Sequence, residues 1–554
     1  MDNVAYEIIS SYEGINVEST PDIKDTVVFN FMERRFAFLC PEIDNSASSG
    51  LLFVLDDTSF DQPHIMLREI DYAGSCILPK GKYRYICLHE NGSMIYSLMS
   101  YKDKIIDSIE RLISLLTLSP LQKEREFQKE FLVYWNAVAH AGRREVYLRN
   151  DLSFSSLLVY QNSDQTRYIA PQICLNDLDS TQNGKKTWQQ RIDTTAFFIP
   201  IINNRGILPP TKNHPWDREQ ILEIICSDVT NHISADSFQK LASEYTKYDT
   251  LDIVFGLGAT QVPYAFLVRV HFRGGNGTSL LERISRNIRS VEMLQCKRMD
   301  YSHLNRVIGN STNNIDKRVL LIGAGSLGSY VASELAKNGF KNISIYDGDD
   351  LDSENFMRWY YSGILKSGKK ASQIGLYLKL MHPEMCVNAH NEHINDTQLA
   401  EEMISADYIV FTVGNSDTQL RFNKVLREKG CNAKVLFAWL EAGGEYSHVL
   451  RVDYNMPGCY ECLFTDDAGN MVNNQANIAD DAVTELYTIH NGCGATRAAY
   501  GTSVLLRTTS VLLDILNKEE NENIERNYIV NVSPNAVEYK YGSFIKEACG
   551  CCGN

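Results

Sequence analysis

Residues 318–347 read RVLLIGAGSLGSYVASELAKNGFKNISIYD. Val319–Ile322 is a short apolar run without alternation, the pattern of a strand buried on both faces. Gly323, Gly325 and Gly328 follow in GxGxxG spacing, and Leu327, Val331, Leu335 and Ala336 then recur at helical period. Ile343–Tyr346 is a second apolar run, closed by Asp347. Strand, glycine turn, helix, strand, acid is the first half of a nucleotide-binding α/β unit. The turn lets phosphate oxygens reach the backbone and the positive end of the helix. A side chain at Gly323 or Gly325 is expected to obstruct that approach. Asp347 is placed to accept hydrogen bonds from ribose hydroxyls. On these residues alone, a dinucleotide-dependent oxidoreductase and an ATP site fit equally well.

Outward from this stretch, residues 299–554 alternate strand and helix, which predicts an α/β domain with a mainly parallel sheet. Tyr408–Thr412 and Lys434–Trp439 supply later strands, and Tyr528–Phe544 reads as a closing antiparallel pair around the turn SPNA. A helix is predicted over Tyr500–Leu516. Residues 1–143 read as a small α+β domain, with strands in Thr26–Leu39, Gly50–Leu55 and Tyr83–Leu88. Two helices follow there, Lys102–Leu116, with one apolar stripe, and Gln122–Ala141. Residues 144–298 form an α+β middle region. TTAFFIPIINN, LDIVFGLGA and YAFLVRVHF look like strands, and Asp217–Ser227 and Ser234–Tyr245 like helices. No motif of chemistry stands in this region, which is expected to position the two ends.

A chain of 554 residues is too long for one core. Its net charge of −15 argues against nucleic acid or an anionic membrane as the main partner. No apolar run is long enough to span a bilayer, and MDNVAYEIISSYEG lacks a signal-peptide pattern. A cytoplasmic protein is expected. Its 14 cysteines then read as buried, catalytic or metal-bound rather than as disulfides. Burial is the expectation for Cys40, Cys174, Cys226, Cys296 and Cys386; nothing distinguishes Cys76 or Cys431.

Four cysteines stand in two Cys-x-x-Cys pairs, Cys459/Cys462 after MPG and Cys549/Cys552 at the end of the chain. Two knuckles supply four thiolates, which suits tetrahedral Zn2+. Neither pair has the setting of a thioredoxin-like redox motif. Cys551 is the odd one out. Cys493 lies in the glycine-rich IHNGCGATRAAYG, where a helix N-terminus and Arg497 would lower its pKa. Cys87 ends a short strand before a polar turn and a long helix. Taken alone, each of these two also reads as a small buried hydrophobe.

The 318–370 stretch resembles the adenylating domain of ubiquitin-activating enzymes and of their bacterial relatives of the ThiF/MoeB family. That family's D-x-D-x-V-x-x-S-N-L-x-R-Q block stands here as Asp347-Gly-Asp349-Asp-Leu-Asp-Ser-Glu354-Asn355-Phe-Met-Arg358-Trp, and its G-x-x-K-A as Gly368-Lys369-Lys370-Ala371, with the lysine one place earlier. The resemblance implies a Rossmann-like fold over roughly Met299–Asn554 that binds ATP and Mg2+. It implies that Asp347 holds the ribose, that Asn355 and Arg358 contact the phosphates, and that Lys370 neutralises the polyphosphate. Carboxylate attack on an α-phosphate asks for such cations, whereas hydride transfer does not. Arg306, in HLNRVIG, is similar in place to an arginine that the family lends across a homodimer to the partner's ATP. The sequence departs from the family at Thr412-Val-Gly414-Asn415-Ser-Asp417, where Gly414 replaces the aspartate of a T-D-N motif that serves Mg2+. Asn415 and the later Asn423 fit the pattern, and Asp417 or Asp349 is the remaining candidate for the metal.

Within the resemblance, Cys493 falls where activating enzymes carry their thioester-forming cysteine. Tyr85-Ile-Cys87-Leu-His89 resembles the I-C-L of ubiquitin-conjugating domains, without their upstream His-Pro-Asn; Asn91 or His89 is left to support the oxyanion. An N-terminal ubiquitin-conjugating-like domain joined to an activating domain looks like the fused enzymes of CBASS-type antiphage operons. That likeness implies conjugation of a cGAS/DncV-like nucleotidyltransferase C-terminus to an amine through Cys493 and then Cys87. The alternative is a single-site ThiF/MoeB-like adenylyltransferase for a sulfur-carrier or ubiquitin-like protein, with Cys87 in the core.

Overall fold

The computed structural model describes residues 3–19, 26–40, 50–55, 69–71, 84–86, 88, 95–162, 167–171, 188–191, 194–201, 207–210, 216–232, 249–257, 264–274, 280–361, 367–490 and 496–553. The chain forms two compact units. The first comprises Met1–Arg144, Ser153–Val159 and Arg191–Lys297; the second comprises Glu145–Leu152, Tyr160–Gln190 and Arg298–Asn554. The first unit thus takes in the whole of 1–143 together with much of the middle region.

In the first unit, the run Thr26–Leu39 is a hairpin of Thr26–Phe31 and Arg34–Leu39. Met32 and Glu33 join its strands, both with positive φ (47° and 63°), the twist that a two-residue hairpin turn requires. Leu51–Val54 and Arg84–Ile86 extend the sheet antiparallel. The helix Tyr101–Thr117 opens with a capping box between Ser100 and Asp103. Its Ile105, Ile109, Leu112 and Leu116 pack in one core with Phe29, Phe36, Phe38 and Leu52 of the sheet. The helix expected over 122–141 is instead two, Pro120–Lys129 and Phe131–Val138. The chain breaks at Glu130 (φ −95°, ψ 8°). The break turns Phe131 and Trp135 into a second core with Trp216 and Phe266, where the Trp135 indole donates to the Leu294 carbonyl at 2.9 Å.

Thr194–Ile201 runs parallel to Thr250–Leu257, which pairs antiparallel with Tyr264–Phe272. Asp252 and Arg269 face each other across that pair in a buried two-pronged ion pair of 2.6 and 2.7 Å. The helix expected over 217–227 spans Arg218–His232. The one expected over 234–245 lies outside the described residues.

The second unit is built on an eight-stranded sheet. In chain order its elements are β1 (Arg318–Ile322), α1 (Ser326–Lys337), β2 (Asn342–Tyr346), α2 (Lys370–Met381), β3 (Cys386–His390), β4 (Tyr408–Phe411), α3 (Ser416–Glu428), β5 (Lys434–Leu440), β6 (Ser447–Val452), α4 (Thr502–Asn521), β7 (Tyr528–Val532) and β8 (Val537–Tyr541). The spatial order is β3-β2-β1-β4-β5-β6-β7-β8. The first five strands are parallel and the rest antiparallel.

Successive residues of β1 serve opposite cores, as a strand covered on both faces demands. Val319 and Leu321 join Val331, Leu335, Leu505 and Leu512 on one side. Leu320 and Ile322 join Phe411, Phe422 and Phe437 on the other. The expected turn 533–536 closes with Ser533 N–H donating to the Ala536 carbonyl. Strand β6 was not foreseen. It carries Arg451, which is buried and grips Glu519 of α4 with two hydrogen bonds of 2.6 and 2.9 Å.

The solitary cysteines correct one expectation. Cys386 is exposed, and Cys40 and Cys296 are half-buried, while Cys431 is buried. Cys386 opens β3, the edge strand, where one side faces solvent. Among the described residues, no helix is long and apolar enough to cross a membrane.

Candidate active site

The strand order reverses between β1 and β4, and ligands of open α/β sheets bind beyond the carboxyl ends of the strands at such a point. The glycine turn lies there, and its glycines have three different reasons. Gly323 has φ +99°, and a Cβ would sit 3.0 Å from Thr412 Oγ1 and 3.1 Å from the Thr412 carbonyl carbon. Its need is conformational and steric, and lies within the protein. Gly328 lets α1 close on the turn, since a Cβ would stand 2.0 Å from the Gly323 carbonyl oxygen. At Gly325, the N-cap of α1, no described residue lies within 4 Å of an added Cβ. Gly325 alone therefore faces open space, as a surface over which phosphates pass would.

Asp347 is buried at the end of β2. Its Oδ2 accepts from the Ala324 N–H at 2.6 Å and its Oδ1 from the Asp349 N–H at 2.9 Å. The carboxylate thus braces the glycine turn. Trp359 braces it from above, its indole donating to the Ala324 carbonyl at 2.9 Å. The Tyr360 N–H donates to Ser329 Oγ at 3.0 Å, which seats the same segment on α1. Sequence reasoning missed Trp359, whose only signal was its place directly after Arg358.

Asn355 ends the 3-10 turn Ser353–Asn355, and its carbonyl accepts the N–H of Arg358 and of Trp359. Arg358 is thereby held on the segment that covers the turn. Among the described residues, its buried Nε meets no hydrogen-bond partner and no ion pair takes up its charge. The Tyr500 ring lies 5.8 Å from its guanidinium carbon. Lys370 is buried at the start of α2 and donates to Asp349 Oδ2 at 2.9 Å. Burial alone would raise the Asp349 pKa, but the hydrogen bond and charge of Lys370, with His393 and Lys369, bring it below its ordinary value. Lys369 points elsewhere, to the Gly348 carbonyl and Asp350.

The departure at Gly414 stands in the structure as a glycine with φ +68° and open space around it. Asn415 caps α3 by accepting from the Thr418 N–H, and Asp417 is exposed in the first turn. Asn423 lies two turns further on, not at the glycine turn but against the cysteine pairs. Arg306 lies on the helix Tyr301–Val307 and reaches the Asn150 carbonyl at 3.4 Å. Burial, with Arg298 nearby, lowers its pKa.

Cys87 and Cys493 lie outside the described residues, as do His89 and Asn91. The strands flanking the Cys493 segment, Thr488–His490 and Thr496–Ala498, form an antiparallel pair. The chain leading into them is tied to the loop after β5. There Glu441 accepts from the N–H groups of Ile478 and Ala479, each at 2.9 Å, and from buried His448 at 2.7 Å. Burial opposes ionisation of Glu441, but these three donors bring its pKa below the usual value.

The two Cys-x-x-Cys pairs come together. The sulfurs of Cys459, Cys462, Cys549 and Cys552 all lie within 4.8 Å of one another. Cys459 and Cys549 are 3.8 Å apart, and Cys462 and Cys552 3.3 Å. Four sulfurs about 2.3 Å from a tetrahedral zinc stand about 3.8 Å apart, so this donor set fits Zn2+. Cys551 falls outside the set of four.

Residues 308–543 match the model of the ThiF family. The ubiquitin-like modifier-activating enzyme 5 of Drosophila grimshawi is 22% identical over 203 residues, which cover 32% of this chain and 50% of the relative. The SUMO-activating enzyme subunit 2 of Dictyostelium discoideum is 25% identical over 170 residues, covering 29% of this chain and 24% of the relative. The chain spans about half the length of the curated modifier-activating relatives it matches. Among solved structures, E. coli MccB with MccA-N7isoASN aligns at a TM-score of 0.35 and 19% identity, over 46% of this chain and 72% of that one. E. coli MccB with ATP aligns at 0.34 and 18%, over 44% and 68%. Residues 308–543 of the second unit therefore form a ThiF-type domain with a Rossmann-like fold.

Proposed function

We propose that this protein uses ATP to adenylate the C-terminal carboxylate of a protein or peptide. The observation that carries this is Arg358, a guanidinium with a buried, unpartnered Nε on the segment that covers the glycine turn. A buried guanidinium N–H without an acceptor is costly, and a bound anion supplies the acceptor. A carboxylate oxygen attacks the α-phosphorus, the bond to the bridging oxygen of the β-phosphate breaks, and pyrophosphate leaves. Gly325 and the N-terminus of α1 receive phosphate oxygens, while Arg358 and Lys370 offset the charge that spreads over them. Asp349 holds Lys370 in readiness and, with Gly414 offering no side chain, is the carboxylate proposed to meet the Mg2+ that ATP brings.

The relay beyond the adenylate belongs to the same proposal. The Cys493 thiolate attacks the acyl carbon, AMP leaves, and the acyl group passes to Cys87 and then to an amine. Support for this part is the sequence around the two cysteines. A cGAS/DncV-like nucleotidyltransferase in a cytoplasmic antiphage system, and a homodimer that shares Arg306, are the proposed substrate and assembly.

The test is ATP–pyrophosphate exchange driven by candidate protein C-termini. Arg358→Ala is expected to lower exchange by about 10²–10³-fold. Exchange at the wild-type rate in that variant would refute the assignment. Cys493→Ala should still exchange but form no thioester. Cys87→Ala should keep the first thioester and stop conjugation.

A further inference from the structure

The four-thiol centre carries a charge problem of its own. Four thiolates around Zn2+ leave two net negative charges, and three of the four cysteines are fully buried. Buried negative charge needs hydrogen-bond donors aimed at it. Asn423, fully buried on α3, supplies one from outside the knuckles. Its Nδ2 lies 3.5 Å from Cys459 Sγ and 3.3 Å from Cys551 Sγ.

The direction of this amide follows from its other side. Oδ1 stands 3.1 Å from the Tyr460 backbone nitrogen and 3.0 Å from the Tyr454 hydroxyl. A backbone N–H can only donate, so the atom facing it is the oxygen. The NH2 group is therefore turned to the sulfurs of Cys459 and Cys551.

We infer that Asn423 is the positioning residue of the four-thiol centre, donating N–H···S hydrogen bonds that hold Cys459 as a metal-bound thiolate and keep Cys551 beside it as a non-ligating neighbour. Asn423 also links that centre to the rest of the domain. It lies eight residues along α3 from Asn415, about 12 Å at the helical rise, and Asn415 caps the end of α3 that follows β4. The centre thus anchors the middle of the helix whose N-terminal end stands at the strand switch point. Adenylation plays no part in the inference, which stands or falls on metal binding.

The experiment uses the full-length protein, with Zn2+ affinity read by competition with a chromophoric chelator and the thiolate-to-metal charge-transfer band read after Co2+ substitution. Asn423→Ala is expected to weaken Zn2+ by about 10–100-fold and to move the Co2+ band to lower energy, because sulfur lone pairs lose their donors. Asn423→Asp, which sets a carboxylate against the thiolates, should bind more weakly than the alanine variant. Tyr454→Phe leaves the amide in place with one of its two donors gone, and should shift the band in the same direction by less. It decides the matter by itself if the Asn423 variants do not fold. Cys551→Ser should keep wild-type Zn2+ affinity. An unmoved band and Zn2+ affinity within twofold of wild type in the folded variants would overturn the inference.

Discussion

Gly328→Ala is the sharpest test of how the glycine turn is built. The added methyl would stand 2.0 Å from the Gly323 carbonyl oxygen, 2.9 Å from its carbon and 2.8 Å from Thr412 Oγ1. An ordinary carbon–oxygen contact begins at about 3.3 Å, so α1 or the turn must yield by about 1.3 Å. The obstacle is backbone, and that backbone is engaged. Thr412 Oγ1 donates to the Gly323 carbonyl at 2.9 Å, and Asp347 and Trp359 hold Ala324 from either side. Overpacking of this kind costs about 1–3 kcal/mol. At about 2–4 °C per kcal/mol for a unit of this size, the upper end of that cost lowers Tm by about 6–12 °C. ATP affinity should fall with it, since the turn itself moves. Gly325→Ala is the counterpart. Its Cβ meets no described residue within 4 Å, and its φ of −72° suits any residue. Its stability should fall by no more than about 1 kcal/mol, the loss of a glycine N-cap, while ATP affinity drops because the methyl occupies the phosphate path. Thermal unfolding and calorimetric titration with ATP measure both. Wild-type Tm in Gly328→Ala would refute the packing argument, and wild-type ATP affinity in Gly325→Ala would refute the phosphate path.

Arg451→Met should cost about 3–5 kcal/mol, because Glu519 is left as a buried, unpaired charge; the denaturant midpoint reads this, and a shift below about 1 kcal/mol would contradict it. Asp349 titrates below the ordinary carboxylate value, so its pairing with Lys370 stabilises the fold above that range and is lost as pH falls through the lowered pKa. Tm of wild type should therefore exceed that of Asp349→Asn at neutral pH by a small, salt-sensitive amount, since the carboxylate is more than half exposed, and the two should converge in acid. Chelation of Zn2+ should lower Tm and expose Cys459, Cys462, Cys549 and Cys552 to thiol reagent together; a Tm indifferent to chelator would exclude a structural metal.

Several of these residues were legible before any coordinates. The glycine spacing and Asp347 marked the turn, because a strand buried on both faces and an amphipathic helix leave period signatures that survive in one dimension. The helix over 102–116 was legible for the same reason, and the two Cys-x-x-Cys pairs because metal knuckles are local. The division of 122–141 into two helices was not, since the break serves aromatic partners such as Trp216 and Phe266 that are distant in sequence. The exposure of Cys386 follows from the edge position of β3, which belongs to strand order and which no local pattern encodes.

The α/β character of residues 299–554, the glycine turn and the four thiols can be read in one dimension, because all of them depend on neighbours a few residues away. Tertiary structure decided what each of those residues does. It made Gly328 a packing contact and Gly325 an open surface, engaged Asp347 with the turn, left Arg358 Nε without a partner, and carried Asn423 to the cysteines. Those outcomes depend on which atoms meet across the strand switch point and along α3. Burial and hydrogen-bond partnership are properties of that meeting, and spacing along the chain does not contain them.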